Sequence, residues 1–282
     1  MPASAPMNDP GSQPRWRPPA LIKASVALHL GAAGALLARP NAWPWIAAAV
    51  VADHLVLTAA GLWPRSRLLG PNWTHLPAAV SAPRDRTVAI TIDDGPEPEV
   101  TPRVLDLLEA QGAKATFFCI GQKVERHSGL AREIVRRGHG IENHSFRHPA
   151  YFSLLGPRGM TTEIRRTQEI IASATGEVAQ FFRAPAGLRN PFLDAVLARA
   201  NLRLVSWTRR GFDTVNRNPQ RVLGKLTSHL SAGDIVLLHD GHAARTAAGS
   251  PVILEVLPGL LRRLSAAGLT PVTLRHAFAA AA

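Results

Sequence analysis

Residues 88–96 read VAITIDDGP, an apolar and largely β-branched run that stops at two aspartates followed by Gly95 and Pro96. Such a run predicts a β-strand, because β-branched side chains favour extended backbone and a Gly-Pro pair ends it abruptly. Asp93 and Asp94 are therefore expected at the carboxyl end of a strand. In folds that alternate strands with helices, this is the edge where substrates bind.

The second chemical feature is a pair of histidines. Two adjacent carboxylates repel each other, so a cation is needed to keep both ionised. Residues 143–148, NHSFRH, supply His144 and His148 as further ligands. Two imidazoles and one carboxylate, with positions left open for water, form the ligand set of a catalytic zinc site. Either pattern alone has an ordinary alternative, because Asp-Asp-Gly is also common in turns and helix N-caps.

Two further segments repeat the arrangement of a short apolar strand that ends in polar residues. They are residues 181–187, FFRAPAG, and residues 235–240, IVLLHD. Taken in order, the four strand ends resemble the polysaccharide deacetylase family, which is carbohydrate esterase family four and includes chitooligosaccharide deacetylase-like domains. The resemblance covers about residues 87–276. It implies a metal-dependent hydrolase that removes an N-acyl group from an amino sugar.

The resemblance also implies which residues bind the metal and activate water. Asp94, His144 and His148 match the metal ligands, with zinc as the expected metal and cobalt, iron or nickel able to use the same ligand set. Asp93 matches the general base. His239 matches the general acid that protonates the leaving amine.

Further site residues follow from the same comparison. Leu237 matches the apolar wall beside the acyl methyl group. Arg183 matches the arginine that pairs with the base carboxylate and fixes its orientation. Asp213 is the candidate that orients either Arg183 or His239. His242, three residues after His239, is a candidate to contact substrate.

The chain departs from the family pattern at two positions. Ala186 stands where the family usually has an aromatic residue, so the backbone N–H remains available to an oxyanion but a sugar-stacking ring is absent. The segment 213–216, DTVN, lacks the tryptophan usual there, and Trp207 is either its replacement or a core residue. These departures argue against a long polymer as substrate. An enzyme anchored by a membrane hairpin and facing the cytoplasm would meet a lipid-linked or nucleotide-linked sugar, with acetyl or formyl as the acyl group.

Composition sets wider limits. The chain has 282 residues, 46% of them hydrophobic, which is enough for one catalytic core plus an appendage. Its formal net charge of +12 is spread along the sequence. Without a basic block interleaved with aromatic residues, nucleic acid is not the expected partner, and an anionic membrane surface or glycan is. Cys119 is the single cysteine, which excludes an internal disulfide.

The N-terminal part predicts a membrane anchor. Residues 1–19 are rich in Pro, Ser, Gly and Ala and are predicted to be disordered. Residues 20–64 contain two apolar stretches, which predict a transmembrane hairpin of two helices with tryptophans at the ends of the second. A signal anchor and a pair of soluble helices are the alternatives. Asp53 and His54 are expected to face the partner helix or to be neutral. Arg15, Arg17 and Lys23 flank one end of the hairpin, and Arg65 and Arg67 flank the other. These basic residues favour a multi-pass inner-membrane protein with a cytoplasmic catalytic domain.

The remainder is predicted to be a linker, residues 65–86, and a catalytic domain, residues 87–282. In that domain strand patterns alternate with helical patterns, which predicts βαβ units and a parallel sheet. Seven or eight such units predict an α/β fold, a distorted (β/α) barrel of about seven strands, and the family resemblance implies the same.

Two other functions remain open at this point. One is a membrane-tethered, glycan-binding pseudoenzyme, which metal content and release of acetate or formate would test. The other is a barrel hydrolase of a non-sugar amide or an O-acyl ester, which only a substrate screen separates from an amino-sugar deacylase.

Overall fold

The computed structural model describes residues 16–77 and 86–280. Most of the predicted disordered tail and residues 78–85 of the predicted linker lie outside this part. Two helices come first, α1 (Ala20–Ala38) and α2 (Trp43–Leu62), joined by a short 3₁₀ turn at Pro40–Ala42. The α/β domain then contains, in chain order, β1 (Thr87–Gly95), α3 (Thr101–Glu109), β2 (Thr116–Cys119), α4 (Gly121–Arg126), α5 (Ser128–Arg136), β3 (Gly140–Asn143), α6 (Pro157–Thr175), β4 (Phe181–Phe182), α7 (Leu193–Arg199), β5 (Arg203–Leu204), β6 (Arg209–Arg210), α8 (Pro219–Thr227), β7 (Ile235–His239), α9 (Val252–Ala266), β8 (Thr270–Val272) and α10 (Leu274–Ala279).

The strands form one curled, parallel sheet. Their order is β5-β4-β3-β2-β1-β7-β6, and β8 pairs with the amino end of β1. The longest strand, β1, lies in the middle and is buried along its whole length. Its residues Val88, Ile90 and Ile92 enter the main hydrophobic core. The α/β barrel-like fold of about seven strands predicted from the sequence is confirmed.

One run of chain, residues 203–210, brings the two edges of the sheet together. At its start Arg203 and Leu204 pair with β4, and at its end Arg209 and Arg210 pair with β7. Between them the Thr208 N–H donates to the carbonyl of Ile235 at 2.8 Å. The curl makes all strand ends converge, which is how a sheet delivers residues from distant parts of the sequence to one place.

Residues 65–77, which were predicted to belong to a linker, pack on this sheet. Trp73 forms a bridge to Val205, and the Leu76 N–H donates to the carbonyl of Gly233 at 2.8 Å. The buried Asn72 side chain donates to the carbonyls of Pro64 and Ser66. The segment after α2 is therefore attached to the α/β domain along its described length.

Helices α1 and α2 pack on each other, and little of their remaining surface is buried. Both are long and apolar enough to cross a membrane by length and composition, and only 6% and 11% of their most apolar windows are buried. Asp53 faces α1, as expected, and accepts a hydrogen bond from Ser25 Oγ at 2.6 Å. The exposed His54 bonds the carbonyl one turn before it, and its ring lies 5.2 Å from the ring of His29 on α1, so it also faces the partner helix. The membrane hairpin itself stays a prediction.

Local departures from the predicted elements are few. The sequence pattern of residues 122–137 predicts one helix, but the structure has two, α4 and α5, because His127 leaves helical backbone at φ −126° and ψ 47°. The strand β6 was not predicted, since its two arginines carry no apolar signal and only pairing with β7 makes it a strand. The helix α10, where a strand was expected to end, begins with Thr273 as its N-cap.

Candidate active site

The strand ends converge on a cavity of about 280 Å³. Asp93 and Asp94 end β1, and the parallel register places Asp93 directly opposite His239 at the end of β7. Most of the residues predicted for the site line this cavity, namely Asp93, Asp94, His144, His148, Ala186, Trp207, Leu237 and His239. Arg183 and Asp213 lie directly behind it and contact lining residues. All of the sequence-predicted site residues are therefore brought together.

Three of these residues form a compact ligand group. The Nε2 atoms of His144 and His148 lie 3.3 Å and 3.4 Å from the same oxygen, Oδ1 of Asp94. That oxygen is buried and has no hydrogen-bond partner among the described residues. The His144 Nδ1–H donates to the carbonyl of Arg183 at 2.8 Å, which leaves Nε2 with its lone pair free. An unsatisfied buried oxygen beside two imidazole nitrogens fits a divalent cation.

The protonation states of Asp94 and His148 also suit metal binding. Burial opposes ionisation of Asp94, but the neighbouring His144 and His242 rings outweigh it and hold the pKa of Asp94 well below the ordinary value. Burial lowers the pKa of His148 to about 4, so its ring is neutral near pH 7. A carboxylate and a neutral imidazole are the forms that bind a metal ion.

Asp93 is held separately by a buried arginine. Arg183 is fully buried, and its Nη1 donates to Asp93 Oδ1 at 2.7 Å and to Thr91 Oγ1 at 2.8 Å. Its Nη2 donates to the Ser206 carbonyl at 2.8 Å, and its guanidinium stacks 4.1 Å from the centre of the Phe118 ring. These contacts fix one oxygen of Asp93, while Oδ2 lies 3.8 Å from His144 Nε2 on the cavity side.

His239 is oriented by Asp213. The His239 Nδ1–H donates to Asp213 Oδ1 at 2.9 Å, and the His239 backbone N–H donates to Oδ2 at 2.7 Å. Of the two partners considered for Asp213 from the sequence, the one it contacts is His239. Burial alone would lower the pKa of His239, but the Asp213 carboxylate outweighs it and raises the pKa to about 9. The imidazolium form is therefore present at neutral pH.

The opposite wall of the cavity carries a free backbone amide. Ala186 has φ +54°, a left-handed conformation, and its N–H donates to none of the residues that the structure describes. Next to it, Gly187 has φ +75°, and a Cβ there would lie 2.6 Å from the Trp207 ring. Trp207 is only 7% exposed, so its ring both lines the cavity and packs in the wall.

Backbone strain is concentrated here. Among non-glycine residues with positive φ, Asp94 (+75°), His148 (+53°) and Ala186 (+54°) all line the cavity. Each left-handed residue costs about 1–2 kcal/mol, which the surrounding contacts must offset. The three strained residues all border the same cavity, and such strain is typical of functional sites.

Three other residues complete the site. His242, a substrate-contact candidate, also lines the cavity, and its Nδ1 lies 2.9 Å from Asp94 Oδ2 while 58% of its side chain is exposed. Arg210 and Thr214 line the cavity and were not predicted. No sequence signal marks them, because Arg210 belongs to the two-residue strand that tertiary pairing creates.

Comparison with known proteins agrees with this geometry. The family model described as "Polysaccharide deacetylase" matches residues 81–205. A peptidoglycan-N-acetylglucosamine deacetylase of Bacillus cereus is 33% identical over 181 residues, which are 64% of this chain and 84% of that protein. A chitooligosaccharide deacetylase of Bradyrhizobium sp. is 35% identical over 158 residues, 56% of this chain and 72% of that protein.

Among solved structures, a family 4 carbohydrate esterase from Streptomyces lividans, in complex with acetate, has a TM-score of 0.60 and 32% sequence identity. The match covers 66% of this chain and 92% of that one. The family model, the curated relatives and the fold agree. The chain therefore belongs to the polysaccharide deacetylase family.

Proposed function

We propose that the protein is a metal-dependent hydrolase that removes an N-acyl group, acetyl or formyl, from an amino sugar in a glycan or a lipid-linked saccharide. Membership of the family supports carbohydrate deacylation, and the names of the two relatives support an amino-sugar substrate. The observation that carries the proposal is the buried, unpartnered Oδ1 of Asp94 between the Nε2 atoms of His144 and His148.

Those three residues would hold the cation, and their nitrogen and oxygen atoms suit zinc best, with cobalt, iron or nickel as alternatives. When bound, the cation supplies Lewis-acid polarisation of water and of the acyl carbonyl. The roles that follow belong to the side chains and the backbone of the chain itself.

Asp93 is the proposed general base. The oxygen that Arg183 leaves free accepts a proton from the attacking water, whose oxygen forms the new bond to the acyl carbon. Arg183 is a positioning residue, since it reaches the reaction only through Asp93. Its four donated hydrogen bonds, to Asp93, Thr91 and the carbonyls of Val205 and Ser206, keep the carboxylate from turning.

His239 is the proposed general acid. As the carbon–nitrogen bond breaks, the imidazolium Nε2–H protonates the amine, which is a poor leaving group without that proton. Asp213 positions the ring through Nδ1 and favours its charged form. The free Ala186 N–H would donate to the oxyanion that forms on the acyl group. Leu237 and Trp207 would border the acyl group and the sugar.

We also propose that α1 and α2 anchor the enzyme in the inner membrane, with the catalytic domain on the side of both hairpin ends. Before α1, the Trp16 Nε1–H donates to Asp194 Oδ2 at 2.7 Å. At the end of α2, the Gly61 carbonyl accepts from the Arg189 N–H at 3.1 Å. Both ends of the hairpin thus contact the same domain, and the flanking basic residues favour the cytoplasmic side.

The test uses the full-length protein in detergent, with metal content measured by mass spectrometry and released acid measured on N-acetyl and N-formyl amino sugars. Asp93→Asn should lower turnover about 10²–10⁴-fold while the metal stays bound. His148→Ala should lose the metal. Equal metal loss in both variants would contradict the assignment of the two aspartates. Turnover of O-acyl esters alone, or sugar binding without any turnover, would overturn the proposed reaction.

A further inference from the structure

A second depression adjoins the catalytic cavity. It has a volume of about 620 Å³ and shares Trp207 and Arg210 with that cavity. Its lining also includes Trp63, Pro64 and Arg65, immediately after α2. We call this depression the basic groove. It connects the proposed reaction centre to the end of the hairpin.

The charge of the basic groove is one-sided. Four cationic side chains line it, Arg65, Arg209, Arg210 and Lys225, and no carboxylate does. Arg209 is neutralised by Asp234 at 2.8 Å. Within the described ranges the other three form no ion pair with a carboxylate. The Arg210 Nε is moreover buried and lacks a hydrogen-bond partner. A buried donor left unsatisfied costs about 1–3 kcal/mol, so an acceptor from outside the chain is expected.

An aromatic residue holds two of these cations in place. The Phe212 ring lies 4.9 Å from the Arg210 guanidinium and 4.8 Å from the Lys225 ammonium. Phe212 is 44% exposed and has φ +59°, so the backbone is strained to keep the ring at the surface. Trp207 supports Arg210 from another side at 5.2 Å. Cation–π contacts orient both charges without neutralising them.

We infer that the basic groove binds the phosphate or diphosphate through which the amino sugar is joined to a lipid. This inference rests on the proposed function and specifies its substrate class. A neutral glycan polymer needs no cluster of unpaired cations, whereas phosphate oxygens accept charge-assisted hydrogen bonds from arginine and lysine. The position agrees, because the groove shares Trp207 and Arg210 with the catalytic cavity and is also lined by Trp63, where an interfacial tryptophan would border the lipid chain.

The experiment compares two substrates that carry the same N-acetylglucosamine, in the same detergent. One is linked to a prenyl chain through a diphosphate, and the other is a neutral alkyl glycoside. The unmodified enzyme should have the lower KM for the diphosphate-linked substrate. Arg65→Ala and Lys225→Ala should each reduce the preference for that substrate, measured as the ratio of kcat/KM values, about tenfold. Both residues are exposed, so neither change threatens folding.

Arg158→Ala is the matched control. Arg158 is exposed on α6, away from the basic groove, and its removal changes the net charge by the same amount. The preference should be unchanged in this variant. An unchanged preference in Arg65→Ala and Lys225→Ala as well would overturn the inference and leave the deacylase proposal intact.

A binding measurement separates this inference from the proposed reaction. By calorimetry on the full-length protein, farnesyl diphosphate should bind, and Lys225→Glu should weaken that binding about tenfold. Inorganic pyrophosphate, which lacks the lipid, should bind more weakly. Failure of farnesyl diphosphate to bind, or equally tight binding of phosphatidylglycerol micelles, would overturn the inference even if no substrate is hydrolysed. If farnesyl diphosphate binds but no amino sugar is hydrolysed, the proposed reaction is contradicted and the inferred role of the basic groove stands.

Discussion

Two groups of histidine and aspartate occur in the described chain, one in the barrel and one between α1 and α2. In the barrel they are Asp94, His144 and His148, and in the hairpin they are His29, Asp53 and His54. In each group the ligand atoms lie within 4.8 Å of one another. By distance and residue type alone the two groups are equivalent. Their surroundings differ, and that difference separates a site for chemistry from a contact between helices.

In the barrel group, the Asp94 oxygen is buried and unpartnered, and two of the three residues have left-handed backbone. In the hairpin group, Asp53 Oδ2 already accepts from Ser25, and the Nδ1 atoms of His29 and His54 bond carbonyls one turn before them. Regular helix geometry satisfies these groups without strain. Unsatisfied polar atoms held by a strained backbone therefore distinguish the barrel group, for which we propose a function, whereas proximity does not.

The largest expected effect is on bound metal. His144→Ala removes one of three ligands, so metal content measured on the purified protein should fall from about one ion per chain to near zero, with loss of deacylation. His29→Ala, the equivalent change in the hairpin group, should keep both. The comparison would fail if His29→Ala lost metal to the same extent as His144→Ala.

An intermediate effect, on the pH dependence of kcat, is expected from changing Asp213, which positions the proposed general acid His239. The Asp213 carboxylate raises the pKa of His239 to about 9, so the imidazolium acid persists up to about that pH and is lost above it. Asp213→Asn removes the charge while burial still lowers the pKa. The alkaline limb of the kcat profile should therefore move to lower pH, with kcat above neutral pH reduced about 10–100-fold.

The pH profile distinguishes this role from a merely structural one. A variant that only loosened the fold would reduce kcat by the same factor at every pH. Asp213→Glu keeps the charge and should restore the position of the alkaline limb. An unshifted limb in Asp213→Asn would show that His239 is not the titrating acid.

The smallest effect is expected in the hairpin. Ser25→Ala and Asp53→Ala remove the partners of one hydrogen bond between the two helices. A double-mutant cycle on unfolding in detergent should give a coupling energy of about 0.6 kcal/mol, the usual value for such bonds between membrane helices. Deacylation should stay the same in both variants. A change in kcat would show that the hairpin group takes part in the reaction.

The barrel group was predictable from the sequence because its residues follow recognisable apolar strands. The run 88–92 before the two aspartates and the run 235–238 before His239 are continuous and buried, so strand ends were predictable in each case. Arg210 and the amide of Ala186 gave no comparable signal. One lies on a strand that exists only through pairing, and the other acts through backbone geometry, which residue type does not specify.

The choice between partners for Asp213 shows the same limit. Residues 213 and 239 are 26 positions apart, and nothing in the spacing selects His239 over Arg183. The register between β6 and β7, together with the path of the chain after β6, selects it. The segment 65–77 gives a second example, since polar and proline-containing sequence predicted a linker while buried Leu69 and Leu76 pack it on the barrel.

The sequence by itself determined the parallel α/β class, the residues able to hold a metal and to move protons, and two apolar segments long enough for a membrane. These properties depend on local periodicity and on side-chain chemistry, which the order of residues carries directly. Tertiary structure alone decided which atoms remain unsatisfied, which oxygen of each aspartate faces the cavity, and that a basic groove joins the cavity to the hairpin. Those properties arise from contacts between residues far apart in the chain, and only the closed fold brings such residues within bonding distance.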